Sequence, residues 1–289
     1  MPSPERGPAR LPIGEALALG ALHGPAELLP ISSSGHVALI PWLFSWRYVE
    51  LDPELRKSFE VALHAGTAAA LLLTLHDEVS EAALGLDGRR FVLIALSFLP
   101  PAIVGYTLER QIESHLGTPA TIAAGLLGGA LVMAWADRAP QLRAHEEAGP
   151  LDALWLGVAQ ACALVPGVSR NGATLAAARV RRFTREDANR LSRHVALPVI
   201  AGATLLKGVR LSRRGLPPGT KWPFVAGASA AFASTLGSTW LIRQVERDRS
   251  LQPYAIYRTA LAALVLVKLR AARRLSSAST APRFRTARA

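Results

Sequence analysis

The chain has 289 residues, half of them hydrophobic, with a formal net charge of +12 and a positive mean hydropathy of +0.24. Its Lys and Arg residues lie between the apolar stretches and in the C-terminal segment, where anionic lipid headgroups bind such charge. There is no zinc-finger spacing and no aromatic RNA-binding motif, so we expect membrane lipids and no nucleic acid as partners.

Six apolar blocks approach the roughly 17 to 25 residues that a helix needs to cross a bilayer. They cover about 58–75, 91–108, 119–136, 194–209, 222–243 and 252–269. Two further apolar segments, 13–46 and 152–182, are broken midway by Pro, Gly and Ser, and each predicts a re-entrant helix-loop-helix hairpin. The expected fold is therefore an all-α polytopic membrane protein with about six transmembrane helices and two hairpins.

The chain matches itself weakly, but in order, when it is shifted by about 137 residues. Residues 15–20 then fall over 152–157, and 32–35 over 169–172; chance similarity between apolar segments is the alternative. We expect one membrane domain over 1–289, with repeat halves at 13–136 and 152–270 and a basic, disordered tail at 271–289. Three crossings per half would invert the second half, so the two hairpins would meet near the middle of the membrane. Basic residues are nearly balanced between the loops and leave the orientation open.

The first hairpin contains a candidate phosphate site. His23 and Glu27 are four residues apart and share a helix face, and after Pro30 come Ser32, Ser33, Ser34, Gly35 and His36. Small residues before a helix let backbone N–H groups surround an anion, so the three serines and the glycine are candidate phosphate contacts. A serine can also accept a phosphoryl group if a base takes its proton, and His36 is the nearest base in sequence. A polar helix cap is the plainer interpretation, but ionisable groups in membrane segments favour function.

The second hairpin places an arginine at the corresponding point. Arg170 follows Ser169 and precedes Asn171 and Gly172, and a guanidinium can grip phosphate oxygens bidentately. Facing the serine loop, Arg170 would neutralise charge on a phosphate substrate, with the other three residues as further phosphate contacts. The alternative is an interfacial arginine that reaches towards the headgroups.

These two stretches, 27–36 and 166–174, resemble the signature regions of the undecaprenyl pyrophosphate phosphatase family, the bacitracin-resistance BacA type. The resemblance continues in order at 58–61, 65–66, 196–198 and 254–258. It implies a hydrolase that converts C55 polyprenyl diphosphate to the monophosphate and so recycles the lipid carrier for peptidoglycan synthesis and cell shape. It also implies a multi-pass protein of the bacterial cytoplasmic (inner) membrane, with a site open to the outer side and a divalent cation, Mg or Ca.

Carried over position by position, the resemblance makes Ser33 the nucleophile and His36 its base or a phosphate contact. Arg170 would clamp phosphate, and Glu27 would hold metal or water. The chain departs from the family pattern at His23, which replaces a Glu of the cation site, at His64, which replaces a Gln, and at Asn171, which replaces a Ser.

The His23 departure leaves three outcomes open for the metal site that His23 and Glu27 would form. Glu27 can serve as the only carboxylate, His23, His36 and Glu27 together can favour zinc, or hydrolysis can be lost in a degenerate paralogue. A transporter (flippase) of polyprenyl phosphate is the main functional alternative, and a phosphatase for another isoprenoid diphosphate is the second. A small-residue stretch near Gly125 and Gly128 is consistent with either a homodimer contact or close packing within the chain.

Overall fold

The structure, a computed structural model, describes residues 10–77, 80, 85, 87–216, 218–246 and 250–279. Over these residues the protein is α-helical and contains no β-strand, which confirms the predicted all-α class. Two 3-10 turns, Arg47–Glu50 and His145–Glu147, interrupt the connections. The helices are α1 Ile13–Leu28, α2 Ser33–Phe44, α3 Pro53–Thr74, α4 Gly88–Leu116, α5 Pro119–Ala136, α6 Pro150–Cys162, α7 Arg170–Val180, α8 Arg185–Arg214, α9 Lys221–Gly237, α10 Trp240–Glu246 and α11 Gln252–Ser279.

Several helices begin at a capping side chain followed by proline. Asp52 accepts a hydrogen bond from the Glu54 N–H at 2.8 Å, and Pro53 is the first helical residue of α3. Thr118 caps α5 in the same way before Pro119. A side-chain oxygen satisfies an N–H group that has no partner inside the helix, and proline has the helical φ with no N–H to satisfy. The local sequence therefore defines where these helices start.

Both broken segments form helix-loop-helix hairpins, α1–α2 and α6–α7, and their loops end in the same unusual conformation. Ser32 (φ 77°) caps α2, and its Oγ accepts from the Gly35 N–H at 3.3 Å. Ser169 (φ 65°) caps α7, and its Oγ accepts from the Gly172 N–H at 3.2 Å. Positive φ is uncommon for serine, so its occurrence at two positions that the sequence shift superimposes is a specific structural likeness.

Each hairpin packs against a helix from the other half of the chain. Helix α1 packs on α9, α6 packs on α4, and α5 pairs with α11. This interleaving brings the two hairpin loops together: the Asn171 side-chain amide donates to the Leu28 carbonyl at 3.0 Å. The site between the loops is therefore formed by residues from both halves of the chain.

Large apolar side chains are exposed on the outer helices. Tyr106 on α4 and Trp135 on α5 are 88% and 62% exposed, and both helices expose further aliphatic residues. By length and composition, Gly88–Ile112 and Pro119–Ala136 are the two helices in the described residues that are long and apolar enough to cross a membrane. Exposed apolar surface on this scale is typical of helices that contact lipid.

The structure differs from two expectations, one on an apolar block and one on the C-terminal tail. The block at 222–243 is not one helix, because α9 ends at Gly237 and α10 begins at Trp240; Gly and Ser are weak helix formers. Helix α11 continues past the apolar block at 252–269 to Ser279 through a Leu-, Arg- and Ala-rich sequence of high helix propensity, so the first part of the predicted tail is helical here. The tail residues 280–289 lie outside the described residues.

Candidate active site between two hairpin loops

A cavity of about 250 Å³ lies at the two hairpin loops. Helices α2 and α7 both begin at it, so two helix N-termini, with their unpaired N–H groups, lie beside the same space. Its lining combines polar residues of both loops with His64, Gln160 and aliphatic residues; the loop residues are Glu27, Ser32, Ser33, Ser34, Ser169, Arg170 and Asn171. Such a pocket is suited to an anionic group.

A continuous chain of hydrogen bonds links the serine, the carboxylate and the guanidinium. The Ser33 hydroxyl donates to Glu27 Oε2 at 2.5 Å, and Arg170 Nη2 donates to Glu27 Oε1 at 2.6 Å. The Glu27 and Arg170 side chains are 12% and 20% exposed. Charge-assisted bonds of this length are strong, and the pair joins the first hairpin to the second.

His36 is near this chain of bonds but is not part of it. Its Nδ1 lies 2.7 Å from the Ser32 carbonyl, which can only accept, so Nδ1 carries a proton. In the neutral ring Nε2 then accepts from the Tyr257 hydroxyl at 2.7 Å, and the two rings stack with centroids 5.6 Å apart. The acceptor in contact with Ser33 is Glu27, whereas His36 contacts the loop backbone and Tyr257, so its role as base or phosphate contact stays a prediction.

Several predicted phosphate contacts are already engaged within the protein. The Gly35 and Gly172 N–H groups donate to the capping serines. Asn171 donates to a backbone carbonyl, and its Oδ1 accepts from Ser192 at 3.2 Å. Ser32 and Ser169 accept in their caps, but their hydroxyl protons stay available, and Ser34 also lines the cavity. The two glycines and Asn171 thus hold the loops in place, serine hydroxyls line the cavity, and the phosphate contacts stay predictions.

Arg258 on α11 supports both hairpin loops, and it is not among the site residues predicted from the sequence. It is fully buried and donates to the carbonyls of Gly167 at 2.9 Å and Val168 at 3.0 Å, with longer contacts to Pro30 at 3.5 Å and Gly125 at 3.4 Å. A charged residue within an apolar helix was the available signal, because such residues in membrane proteins are costly and usually have a purpose.

Glycines let this support approach the second loop closely. Gly167 has φ +94°, in the left-handed region, and a side chain there would collide with the Ile122 carbonyl. A Cβ on Gly125 would collide with the Pro166 carbonyl. The small residues of α5 at this point therefore serve packing within the chain, while the homodimer stays a prediction.

A histidine pair lies beside Glu27, and one of its members, His64, lines the cavity. His23, Glu27 and His64 each place one potential ligand atom within 4.8 Å of the others, and the two imidazole rings are 4.5 Å apart. His23 is fully buried, and its Nε2 has no hydrogen-bond partner among the described residues. The structure brings His23 to Glu27 as predicted, and the third member of this cluster is His64, not His36. Two nitrogen donors and one carboxylate fit a divalent cation, though not the oxygen-rich set that Mg and Ca prefer.

Fold and site together define an all-helical protein that exposes apolar helices and encloses a serine, a carboxylate and a guanidinium between two helix-loop-helix hairpins. The chain belongs to the bacitracin resistance protein BacA family, whose model matches residues 16–264, and members of this family are membrane proteins.

Individual relatives match over almost the whole chain. The undecaprenyl-diphosphatase of Geobacter metallireducens is 40% identical over 265 residues, covering 87% of this chain and 96% of the relative. The undecaprenyl-diphosphatase of Geobacter sulfurreducens is 40% identical over 271 residues, covering 89% and 98%. A third, from Pelotomaculum thermopropionicum, is 36% identical and covers 90% and 97%.

Proposed function

We propose that the chain is an undecaprenyl-diphosphatase, which hydrolyses C55 polyprenyl diphosphate to the monophosphate and inorganic phosphate. Relatives with this name match the chain over nearly their full length. The observation in the site that carries the proposal is the 2.5 Å bond from the Ser33 hydroxyl to Glu27 at the start of α2. A serine bonded to a carboxylate beside a guanidinium is equipped for phosphoryl transfer, which a carrier of lipid phosphates does not need.

Ser33 acts as the nucleophile in the first step. Its Oγ attacks the terminal phosphorus while its proton passes to Glu27, and the bond from that phosphorus to the bridging oxygen breaks, so polyprenyl monophosphate leaves. A water molecule then attacks the phosphoserine and gives one proton to Ser33 Oγ, while Glu27 returns its proton to solvent with the departing inorganic phosphate. General base catalysis of this kind contributes roughly 10² to 10⁴-fold in rate.

Positive charge at the site stabilises the diphosphate and the charge that develops during transfer. Arg170 uses one N–H donor on Glu27, which leaves its other donors for phosphate oxygens. The first N–H groups of α2 and α7 add the positive ends of two helices, and Ser32, Ser34 and Ser169 add hydroxyl donors. A divalent cation held by His23, Glu27 and His64 would supply further neutralisation of the diphosphate when bound.

The membrane arrangement follows the same proposal. The two hairpins form the re-entrant elements of an inverted repeat with about six transmembrane helices, in the cytoplasmic membrane of a bacterium, with the site open to the outer side. The shared positive-φ serine caps and the exchanged packing of α1 on α9 and α6 on α4 support the repeat. In that position the enzyme would return the carrier lipid to peptidoglycan synthesis.

Phosphate release from C55 polyprenyl diphosphate by purified protein in detergent tests the proposal. We expect Ser33→Ala and Arg170→Ala to lose at least about 10²-fold in activity, because each removes a group that acts on the phosphoryl centre. The exposed residues Ser114 and Arg138 provide matched controls, Ser114→Ala and Arg138→Ala, which should retain wild-type rates. Lipid binding without release by the wild-type protein under any cation would contradict hydrolysis and indicate a carrier.

A further inference from the structure

We propose that His23, His64 and Glu27 form a binding site for a divalent transition metal of the zinc class, in place of Mg or Ca. The inference deepens the proposed function, because the metal would lie at the Ser33–Glu27 pair, and it rests on that function only for its catalytic purpose.

The spacing of the three side chains suits a small tetrahedral ion. Their ligand atoms already lie within 4.8 Å of one another. Ligands bound at about 2.0–2.2 Å in a tetrahedron are roughly 3.3 Å apart, so closure requires movements of about an ångström or less per side chain. Residues on two helices provide the ligands, with His23 and Glu27 four apart on α1 and His64 on α3.

The second nitrogen of each imidazole is held as metal sites require. His64 Nδ1 donates to the Glu60 carbonyl at 2.8 Å, which leaves the Nε2 lone pair as the available ligand atom. His23 Nδ1 lies 2.9 Å from the Thr67 hydroxyl, which also accepts from Thr235 at 3.2 Å. Such outer partners fix the tautomer and the ring orientation of metal-binding histidines.

The unpaired nitrogen of His23 is the independent observation that points to a ligand. His23 is fully buried, and its Nε2 has no partner among the described residues. Leaving a buried polar atom unpaired costs on the order of 1–3 kcal/mol, and edge-to-face packing of His23 on His64 does not relieve that cost. A metal ion accepts this lone pair and explains both histidines at once.

The donor chemistry selects the class of metal. Mg and Ca take oxygen ligands, and the described cluster offers one carboxylate, Glu27, whose two oxygens also accept from Ser33 and Arg170. Imidazole suits zinc and its neighbours in the first transition row. The remaining lone pairs of Glu27 complete a set of two nitrogens and one oxygen, which leaves a coordination position for water or substrate.

The test measures metal binding directly, without turnover. Purified protein stripped with a chelator is titrated with Co²⁺, whose visible absorption reports tetrahedral coordination, and then with Zn²⁺ as a displacing ion. We expect one ion per chain in the wild-type protein and in Ser33→Ala, with affinity lowered at least about 10²-fold in His23→Ala and in His64→Ala. Thr67→Val should lower the affinity by about 10 to 100-fold through the lost outer hydrogen bond.

Exposed His76 supplies the matched control, and His76→Ala should bind as the wild type does. His64 is half-buried, so His64→Ala keeps the test valid if the buried His23→Ala fails to fold. Absence of a tetrahedral Co²⁺ spectrum, or equal affinity in the wild type and His64→Ala, overturns the inference even if hydrolysis proceeds with Mg. Stoichiometric Zn²⁺ binding without phosphate release supports the inference and refutes the phosphatase instead.

Discussion

Replacement of Glu27 by glutamine separates the two candidate partners of Ser33. Glutamine keeps the size and one acceptor oxygen of Glu27, but it cannot take the serine proton. Ser33 and Arg170, at 2.5 Å and 2.6 Å from the two carboxylate oxygens, would then compete for one neutral acceptor oxygen. If Glu27 is the base, Glu27→Gln should stop the chemical step while the cavity stays intact.

The size of the effect follows from these two contacts. Loss of a general base lowers kcat by roughly 10² to 10⁴-fold, which is about 3–5 kcal/mol of transition-state stabilisation. Breaking a buried ion pair costs up to about 3–5 kcal/mol of folding stability, and less here because Arg170 is 20% exposed. The free guanidinium gains an anionic substrate as a partner, so we expect KM to change much less than kcat.

The assay is steady-state phosphate release in detergent, with metal occupancy measured on the same samples and brought to saturation. His36→Asn is the comparison, and we expect it to stay within about tenfold of the wild type, because His36 contacts the Ser32 carbonyl and Tyr257 rather than Ser33. Glu50→Gln, in an exposed turn, is the control for the charge change. The reasoning is refuted if Glu27→Gln keeps more than about a tenth of wild-type kcat at full metal occupancy while His36→Asn loses more than 10²-fold.

Two further predictions concern the support of the loops. Arg258→Lys keeps the positive charge, but one ammonium group cannot donate to both loop carbonyls at once. We expect thermal unfolding in detergent to show a loss of about 2–4 kcal/mol in stability, and the phosphatase assay to show lower activity, with Arg138→Lys as an unchanged control. An unchanged melting temperature would contradict this prediction. Gly125→Ala should push the Pro166 carbonyl aside, costing about 1–3 kcal/mol and most of the activity. Gly128→Ala on the same helix meets nothing within 4 Å among the described residues and should be neutral; a loss there instead would implicate that exposed face in a homodimer.

Helix positions and the two loops were predictable from the sequence because local rules determine them. The apolar block at 119–136 coincides with α5, whose start is marked by Thr118 and Pro119. The broken segments also form hairpins at Pro, Gly and Ser, as expected from residues that interrupt helices. The break between α9 and α10 was missed because hydropathy averages over Gly237, whereas helix propensity is a property of each residue.

Side-chain partners in the site were harder to predict because tertiary packing chooses them. His36 is the nearest base to Ser33 in sequence, but it lies within the first turns of α2, where helical side chains are directed back towards the N-terminus. It therefore reaches the Ser32 carbonyl, four residues earlier, and not the hydroxyl of Ser33. Glu27 lies in the last turn of α1, and the path of the loop between α1 and α2 brings Ser33 to its carboxylate.

Glu27 also explains why neither hairpin can form the site alone. Its carboxylate accepts a hydrogen bond from the Ser33 hydroxyl within the first hairpin and binds Arg170 of the second, while His64 on α3 lies near it from a third direction. Each of these contacts is worth more between largely buried side chains than at a surface, and each becomes costly if its partner is removed. Substitutions at Ser33, Arg170 and His64 should therefore be strongly non-additive, because all three act on the same two oxygen atoms.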